Sequence, residues 1–141
     1  MKNPIYPCLW FDGQAQAAAS FYCNIFPNSS ITSDNQMVVT FKLNGRKFIG
    51  LNAGPHFKFN EAVSFVIDCD TQDEIDYYWS RLTADGGTEG QCGWLKDKFG
   101  VSWQVIPTVL SKLLSNSEKA PRVMEAFLKM KKFDIYTLEN A

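Results

Sequence analysis

The strongest constraint on the fold is a pattern of one strand, one helix and three strands that the chain carries twice. The two predicted helices begin at Gln14 and Thr71, which lie 57 residues apart. The same offset separates the aromatic pairs Phe21-Tyr22 and Tyr78-Trp79. A fixed offset over several features indicates an internal repeat. Sequence identity between the halves is slight, so a generic α+β domain with two helices on one antiparallel sheet is the alternative.

The first half is predicted to contain four strands and one helix. A strand over Ile5 to Phe11 ends at Asp12-Gly13, and a helix follows over residues 14–26, where apolar residues recur at spacings of three and four. Asn44-Gly45 predicts a two-residue hairpin turn between the last two strands. The three strands after the helix are predicted over Ser30 to Ser33, Met37 to Leu43 and Arg46 to Asn52.

The second half repeats this order after the turn-rich segment Ala53 to Asn60. A strand over Ala62 to Cys69 precedes a capping box at Thr71 and Glu74, which opens a helix predicted to run to about Asp85. Short strands are then predicted near Thr88 to Gln91, Trp94 to Lys98 and Ser102 to Pro107.

These elements predict a single domain of 141 residues with two modules and a tail. The first module spans about 1–53, the second about 61–107, and a mostly helical tail covers 108–141. An apolar stripe in the tail is predicted to dock on the body or on a partner subunit. The stripe consists of Val123, Met124, Phe127 and Leu128.

Composition limits the partners of the chain. The formal net charge is −1 and the pI is about 5.8, so the basic surplus of a nucleic-acid-binding protein is missing. No stretch approaches the roughly 18 apolar residues of a membrane span, and Met1 to Pro7 lacks the apolar run of a signal peptide. The four cysteines form no C-x-x-C pair and are expected to fill the core as small apolar side chains. We expect a cytoplasmic protein with no nucleic-acid or membrane partner.

Three stretches of the chain resemble the PhnB-like branch of the vicinal-oxygen-chelate superfamily, the fold of glyoxalases, bleomycin-resistance proteins and extradiol dioxygenases. They run over Leu9 to Ser29, Phe41 to Cys69 and Gly90 to Pro107. Members of this branch are often labelled 3-demethylubiquinone-9 3-methyltransferase. The resemblance implies an α+β fold in which two β-α-β-β-β modules form a cupped mixed sheet, here followed by C-terminal helices. It also implies a homodimer with a pocket at or near the subunit contact.

The resemblance further implies positions for a metal ion, and in this chain those positions lack suitable ligands. Alignment by hand places three of them at Pro7, Ala62 and Gln104, with Gly50 or Asn52 as the fourth. Proline and alanine have no donor atom, and glutamine is a poor ligand without charged companions. We therefore expect neither a metal nor another cofactor in the cup.

The methyltransferase label has no support in the turns that join strands to helices. S-adenosylmethionine is usually held by a glycine-rich turn of this kind in a doubly wound sheet. The turns here, Phe11 to Gln16 and Cys69 to Glu74, are not glycine-rich. The chain is also too short for the usual methyltransferase fold with a substrate cap.

The resemblance implies that the positions it assigns to a metal face the cup, and strand alternation then gives the neighbouring side chains on the same face. With Pro7 facing inward, Leu9 and Phe11 are predicted to face the cup, whereas Trp10 faces the helices. Trp94 and Lys96 share one face of their strand, which we aim inward because an aromatic residue is common there in proteins of the family that the chain resembles. The predicted ligand-binding residues are Leu9, Asn52, His56, Ser64, Trp94, Lys96, Ser102 and Gln104.

His56 has both a functional and a structural interpretation, whereas Asp97 has a structural one. His56, the single histidine, is either a general base or a residue that shapes the turn between the modules or the dimer contact, and its motif contains no nucleophile or carboxylate to assist a base. Asp97 is predicted to order the turn after its strand through an Asx-type hydrogen bond.

The residues leave three classes of function open. The first is a metal-independent protein that binds a small organic molecule for sequestration or sensing. The second is an enzyme of the same fold that acts on a small carbonyl or quinone-like compound, with or without a metal, and the residues leave open whether any reaction is catalysed. The third is an interaction protein, in which the linker between the modules and the C-terminal helices serve mainly subunit assembly.

Overall fold

The computed structural model describes residues 4–141. Met1–Asn3, which begin the first predicted module and the segment considered for a signal peptide, lie outside the described residues. The chain divides between Phe59 and Asn60 into two compact units, here called the first and second units. Each unit holds a four-stranded mixed sheet with one helix after its first strand, in the predicted order, and the second unit adds three helices from the tail. This arrangement confirms the α+β class.

The first unit follows the predicted order of elements. Its strands have the order β1-β4-β3-β2, with β1 parallel to β4 and the other neighbours antiparallel. Asn44 and Gly45 join β3 to β4 with φ values of 51° and 78°, as a two-residue hairpin requires, so the predicted turn is confirmed. The elements are β1 (Cys8–Phe11), α1 (Ala15–Ile25), β2 (Ser30–Asp34), β3 (Val38–Leu43) and β4 (Arg46–Asn52).

Aromatic side chains fill the space between α1 and the first sheet. Tyr22 of α1 stacks on Phe41 with ring centroids 6.4 Å apart, and Phe41 stacks on Phe48 at 5.6 Å. A Cβ atom at Gly50 would lie only 3.0 Å from that of Ala15, so glycine at this position allows the helix to approach the strand. The face of each sheet opposite its helix is called the open face below.

The second unit repeats this topology and adds the tail. Its strand order is β5-β8-β7-β6, again with the first and last strands of the module parallel. The elements are β5 (Ser64–Cys69), α2 (Gln72–Leu82), β6 (Thr88–Glu89), β7 (Trp94–Lys96), β8 (Ser102–Pro107), α3 (Val109–Ser115), α4 (Ala120–Leu128) and α5 (Ile135–Glu139). The bounds of β4 and β8 equal the predicted ones, whereas β5 and β7 are shorter than predicted.

Helix α2 begins at the predicted capping box. The Thr71 hydroxyl accepts a hydrogen bond from the Glu74 amide at 3.2 Å, and a Glu74 carboxylate oxygen accepts one from the Thr71 amide at 3.1 Å. The helix ends at Leu82 rather than near Asp85, because Asp85 and Gly86 take positive φ values of 58° and 114° in the following turn. The buried residues of α2 are Ile75, Trp79 and Leu82.

The tail holds the loop that leads into β7. The backbone amides of Cys92 and Gly93 donate hydrogen bonds to the carbonyl oxygens of Met130 and Lys131, each at 2.8 Å. The Phe133 side chain beyond them is buried. Residues of the tail thereby fix the position of the residues just before Trp94.

In the tail stripe Val123 is buried within this chain, whereas Met124 and Leu128 are 42% and 58% exposed, so docking of these two residues on a partner subunit stays a prediction. The prediction that all four cysteines fill the core needs correction. Among the four cysteines, Cys69 is buried but Cys8 is exposed. Burial, reinforced by nearby carboxylates, raises the pKa of Cys69 to about 12. Among residues 4–141, no helix is both long and apolar enough to cross a membrane.

Candidate functional site

The side chains of β1 have the opposite orientation to the predicted one. The ring of Phe11 lies on the α1 side, since it would be 3.4 Å from a Cβ atom at Gly50, the residue that contacts the helix. Leu9 is buried on the same face by strand alternation, whereas Trp10 lies on the open face. The prediction that Leu9 and Phe11 face the open side was therefore wrong. Leu9 packs beneath α1.

Trp10 instead supports the loop that follows β4. Its indole N–H donates to the carbonyl of Gly54 at 2.8 Å, and its ring meets Phe57 edge-on with centroids 4.8 Å apart. An indole N–H needs an acceptor when it is partly buried, and this loop supplies one. His56 is exposed in the same loop, and within the described part of the chain its imidazole has no hydrogen bond or ion pair. A role for His56 stays a prediction.

Asn52 serves the helix of the first unit. Its side-chain oxygen accepts a hydrogen bond from the Ala15 amide at 2.9 Å, and its side-chain nitrogen donates to the Gln36 carbonyl at 2.7 Å. Gln14, at the N-cap of α1, makes no capping bond with its side chain, so Asn52 satisfies the first amide of the helix from a distant strand. The structure thus places Asn52 on the helix side rather than among polar groups of a cup.

The open face of the second sheet brings the other five predicted residues together. The strand register puts Ser64 beside Ser102 and Ser102 beside Lys96, which gives one row of polar residues across three strands. In the next row Trp94 lies beside Gln104. The opposite face of this sheet packs against α2.

A pocket of about 200 Å³ lies at this open face. Its volume equals that of about six or seven liquid waters at ~30 Å³ each, which suits a single-ring compound. Six residues of its wall matter for the chemistry: Glu61, Thr88, Glu89, Trp94, Lys96 and Ser102.

Ser102 carries a polar group without a partner in this wall. The residue is 1% exposed, and its hydroxyl oxygen has no hydrogen bond to any described residue. The neighbouring Ser64 hydroxyl, in contrast, accepts a hydrogen bond from the Gln104 amide nitrogen at 3.0 Å. Leaving a buried hydroxyl unpaired costs about 1–3 kcal/mol. The Ser102 hydroxyl is therefore a group that a bound molecule would satisfy.

Lys96 and Glu61 form an ion pair at the edge of the pocket. The Lys96 Nζ and a Glu61 carboxylate oxygen are 2.6 Å apart, and the two side chains are 42% and 63% exposed. The hydrogen bond and charge of Lys96 lower the pKa of Glu61. Lys96 belongs to a strand, but Glu61 lies in the turn before β5. Glu61 was not among the predicted site residues, because its pairing with Lys96 depends on how that turn folds back toward the sheet.

Glu89 and Thr88 also line the pocket and were not among the predicted site residues. One of the Glu89 carboxylate oxygens accepts a hydrogen bond from the indole N–H of Trp79 at 2.5 Å. This bond ties α2 to the edge strand β6. Alternation along the predicted strand near Thr88 could have indicated its facing, but not its partner on the helix.

Asp97 orders the turn between β7 and β8, as predicted. One carboxylate oxygen accepts hydrogen bonds from the amides of Phe99 and Val101 at 2.8 and 3.1 Å. The other accepts one from the Trp103 indole N–H at 2.9 Å. Asp97 is 3% exposed and holds the hairpin that carries Trp94 and the polar row.

The residues at the positions that the resemblance assigns to a metal do not fit one. Ala62 and Pro7 precede their strands and have no donor atom, and the Gln104 amide nitrogen donates to Ser64. Within residues 4–141, no group of three or more histidine, cysteine, aspartate or glutamate side chains is arranged to hold a metal ion. The divalent metal ion that the resemblance implies needs three or four histidine or carboxylate ligands.

A model of the 3-demethylubiquinone-9 3-methyltransferase family matches residues 3–106. The chain belongs to this family. A PhnB protein from Bacillus cereus, described under the same family name, is 31% identical and superposes with a TM-score of 0.68 over 75% of this chain and 100% of that chain. The family membership confirms the resemblance to the PhnB-like branch.

Two solved structures at lower identity show the fold of this family member. Protein PA1353 from Pseudomonas aeruginosa is 19% identical, with a TM-score of 0.60 over 73% of this chain and 96% of that chain. The fosfomycin resistance protein FosX from Listeria monocytogenes, complexed with Mn(II) and sulfate, is 15% identical, with a TM-score of 0.61 over 83% of this chain and 98% of that chain. No protein of curated function matches the chain.

The family name implies a methyl donor, and the turns between strand and helix do not fit one. At the start of α1 the Ala15 amide is bonded to Asn52, and at the start of α2 the Glu74 amide is bonded to the Thr71 hydroxyl. Neither turn has the glycine-rich sequence with which such a loop holds a nucleoside or phosphate group.

Proposed function

We propose that this family member binds a small organic molecule of about one ring on the open face of the second sheet, without a metal. The observation that carries the proposal is the buried, unpartnered hydroxyl of Ser102 in the wall of a pocket that also contains Trp94. A planar compound that stacks on the indole and directs one polar group at Ser102 would satisfy the hydroxyl and displace water from the ring face.

The surroundings of the pocket support such a ligand. Trp94 is partly exposed, and among the described residues its indole N–H has no acceptor, so both the ring and the N–H are available. Ser64 and Gln104 bond to each other beside the unpartnered hydroxyl and therefore compete little for it. This arrangement favours sequestration or sensing of a molecule that is released unchanged.

Binding without a metal is part of the proposal. The Lys96 ammonium group lies in the pocket wall and disfavours a divalent cation there. We expect dialysed protein to contain less than one metal ion per chain by inductively coupled plasma mass spectrometry. A stoichiometric metal that survives dialysis would contradict this part of the proposal.

The binding proposal is tested by thermal shift with phenol, benzamide and benzoate on the full chain. We expect at least one compound to raise the Tm of the wild type and to lose this effect with Trp94→Ala. Tyr136→Ala is the matched control, since Tyr136 is an aromatic residue of the same unit that is 76% exposed and lies outside the pocket. No shift with any compound, or equal shifts in wild type and Trp94→Ala, would contradict the proposal.

We also propose that the protein is a homodimer with its pocket at or near the subunit contact, as the family resemblance implies. Static light scattering should then give twice the chain mass of 16.0 kDa, and a value of one chain mass would exclude it. A cytoplasmic location completes the proposal, because four free cysteines persist most readily in a reducing compartment.

A further inference from the structure

Building on the proposed function, we propose that the bound molecule carries a carboxylate, which displaces Glu61 from Lys96 and accepts a hydrogen bond from Ser102. The inference concerns the ligand class of the pocket on the second sheet. It rests on the geometry of three side chains that line one wall.

Lys96 and Ser102 are arranged to hold the two oxygens of one carboxylate. They are directly opposite each other in the register of β7 and β8, and both line the pocket. Side chains at such paired positions start from Cβ atoms about 4.5–5.5 Å apart. An ammonium group and a hydroxyl at this spacing can each donate to one oxygen, and hydrogen bonds to an ionised group are the stronger kind.

Lys96 already binds a carboxylate within this chain. Glu61 places its carboxylate 2.6 Å from the Lys96 Nζ, so the position is filled by an acid of the protein itself. Glu61 is the more exposed partner and lies in a turn, whereas Lys96 is fixed in a strand. An incoming carboxylate can therefore release Glu61 into water without moving the sheet.

A cationic ligand fits the same wall poorly. The other acidic residue of the wall, Glu89, is already hydrogen-bonded to the indole N–H of Trp79. A cation would also have to lie beside the ammonium group of Lys96. A carboxylate, in contrast, offers one oxygen to Lys96 and one to the unpartnered hydroxyl of Ser102, and its charge is compensated by the ammonium group.

The test compares benzoate with benzamide, which have nearly the same shape but differ in charge, by isothermal titration calorimetry at one ionic strength. The wild type should bind benzoate more tightly. Glu61→Gln should strengthen benzoate binding roughly three- to fivefold, the ratio expected for loss of a half-exposed competing ion pair, and leave benzamide unchanged. Lys96→Met should abolish the preference for benzoate, and Lys96→Arg should retain it.

Lys132→Met is the matched control. It removes a lysine of the same unit that pairs with Asp76 at the same distance of 2.6 Å but lies outside the pocket, so the preference should be unchanged. Equal affinity for benzoate and benzamide in the wild type, or no gain in Glu61→Gln, would overturn the inference while the binding proposal stands. If neither benzoate nor benzamide binds the wild type, the inference is overturned, and the binding proposal is contradicted as well only when phenol also gives no thermal shift.

Discussion

The two units share a strand order and the position of one helix, but they differ in where their polar side chains point. In the first unit Asn52 faces α1 and Trp10 is covered by the loop after β4. In the second unit Ser102 and Lys96 face the pocket. The two units thus share the packing of one helix on their sheets because they share a topology. The polar groups on each sheet face differ, because they depend on which residue occupies a given strand position.

The hairpins of the two units form the sharpest contrast. The turn from β3 to β4 takes two residues with positive φ, but the turn from β7 to β8 is built on the buried carboxylate of Asp97. Asp97→Ala should lower the free energy of unfolding by about 3 kcal/mol, because three hydrogen bonds are lost and the Trp103 indole N–H stays buried without an acceptor. Urea unfolding followed by circular dichroism measures the loss.

The matched change in the first unit is Gly45→Ala, which should cost about 1 kcal/mol because alanine is strained at a φ of 78°. If Gly45→Ala proves the more damaging of the two, the contrast between the hairpins is wrong.

The starts of the two helices differ in the same way. Asn52→Ala should lower the free energy of unfolding by about 2 kcal/mol, since it removes hydrogen bonds both to α1 and to the Gln36 carbonyl. Thr71→Ala should cost about 1 kcal/mol, the usual value for one N-cap. The two variants are compared by their urea midpoints, provided that their m-values are equal. Equal losses of stability would show that the cap from Asn52 acts no differently from the local cap of Thr71.

The two serines of the polar row are expected to change stability in opposite directions in the absence of ligand. Ser64→Ala should lower the free energy of unfolding by about 1 kcal/mol, because the Gln104 amide loses its acceptor. Ser102→Ala should raise it by up to about 1 kcal/mol, since an unpaired buried hydroxyl is removed. A loss of stability in Ser102→Ala would mean that its hydroxyl has a partner in the ligand-free protein.

The smallest expected effect concerns acid. The hydrogen bonds from Lys132 and Gln72 lower the pKa of Asp76, and the hydrogen bond and charge of Lys96 lower that of Glu61. A folded-state pKa below the unfolded value stabilises the protein near neutral pH, and this stabilisation disappears as the pH falls through the folded-state pKa. Both carboxylates lie in the second unit and are well exposed, so the effect is small.

Urea midpoints at about pH 7 and about pH 3 provide the measurement. The decrease in the urea midpoint from neutral to acidic pH should be smaller in Lys132→Met and in Lys96→Met than in the wild type. An unchanged drop in both variants would place the acid sensitivity elsewhere in the chain.

Features with local signals could be predicted from the sequence. The capping box of Thr71, the Asn44-Gly45 turn and the bounds of β4 and β8 each depend on neighbouring residues. Strand alternation together with the family resemblance placed five of the predicted site residues on one face.

Features with distant partners could not be predicted. Asn52 caps a helix 37 residues earlier in the chain, and the partner of Lys96 lies in a turn of another segment. The predicted orientation of the β1 side chains was wrong for a different reason. Leu9, Trp10 and Phe11 are all apolar or aromatic, so alternation separates two faces without showing which one is buried.

The tail ties the far end of the chain to the pocket. The amides of Cys92 and Gly93, just before Trp94, are held by the carbonyls of Met130 and Lys131, whereas the match to the family ends at residue 106. The two carbonyls that hold this loop therefore lie beyond the residues that the family model matches. Removal of the chain from Met130 onward should release the loop before Trp94, although it removes no residue that lines the pocket.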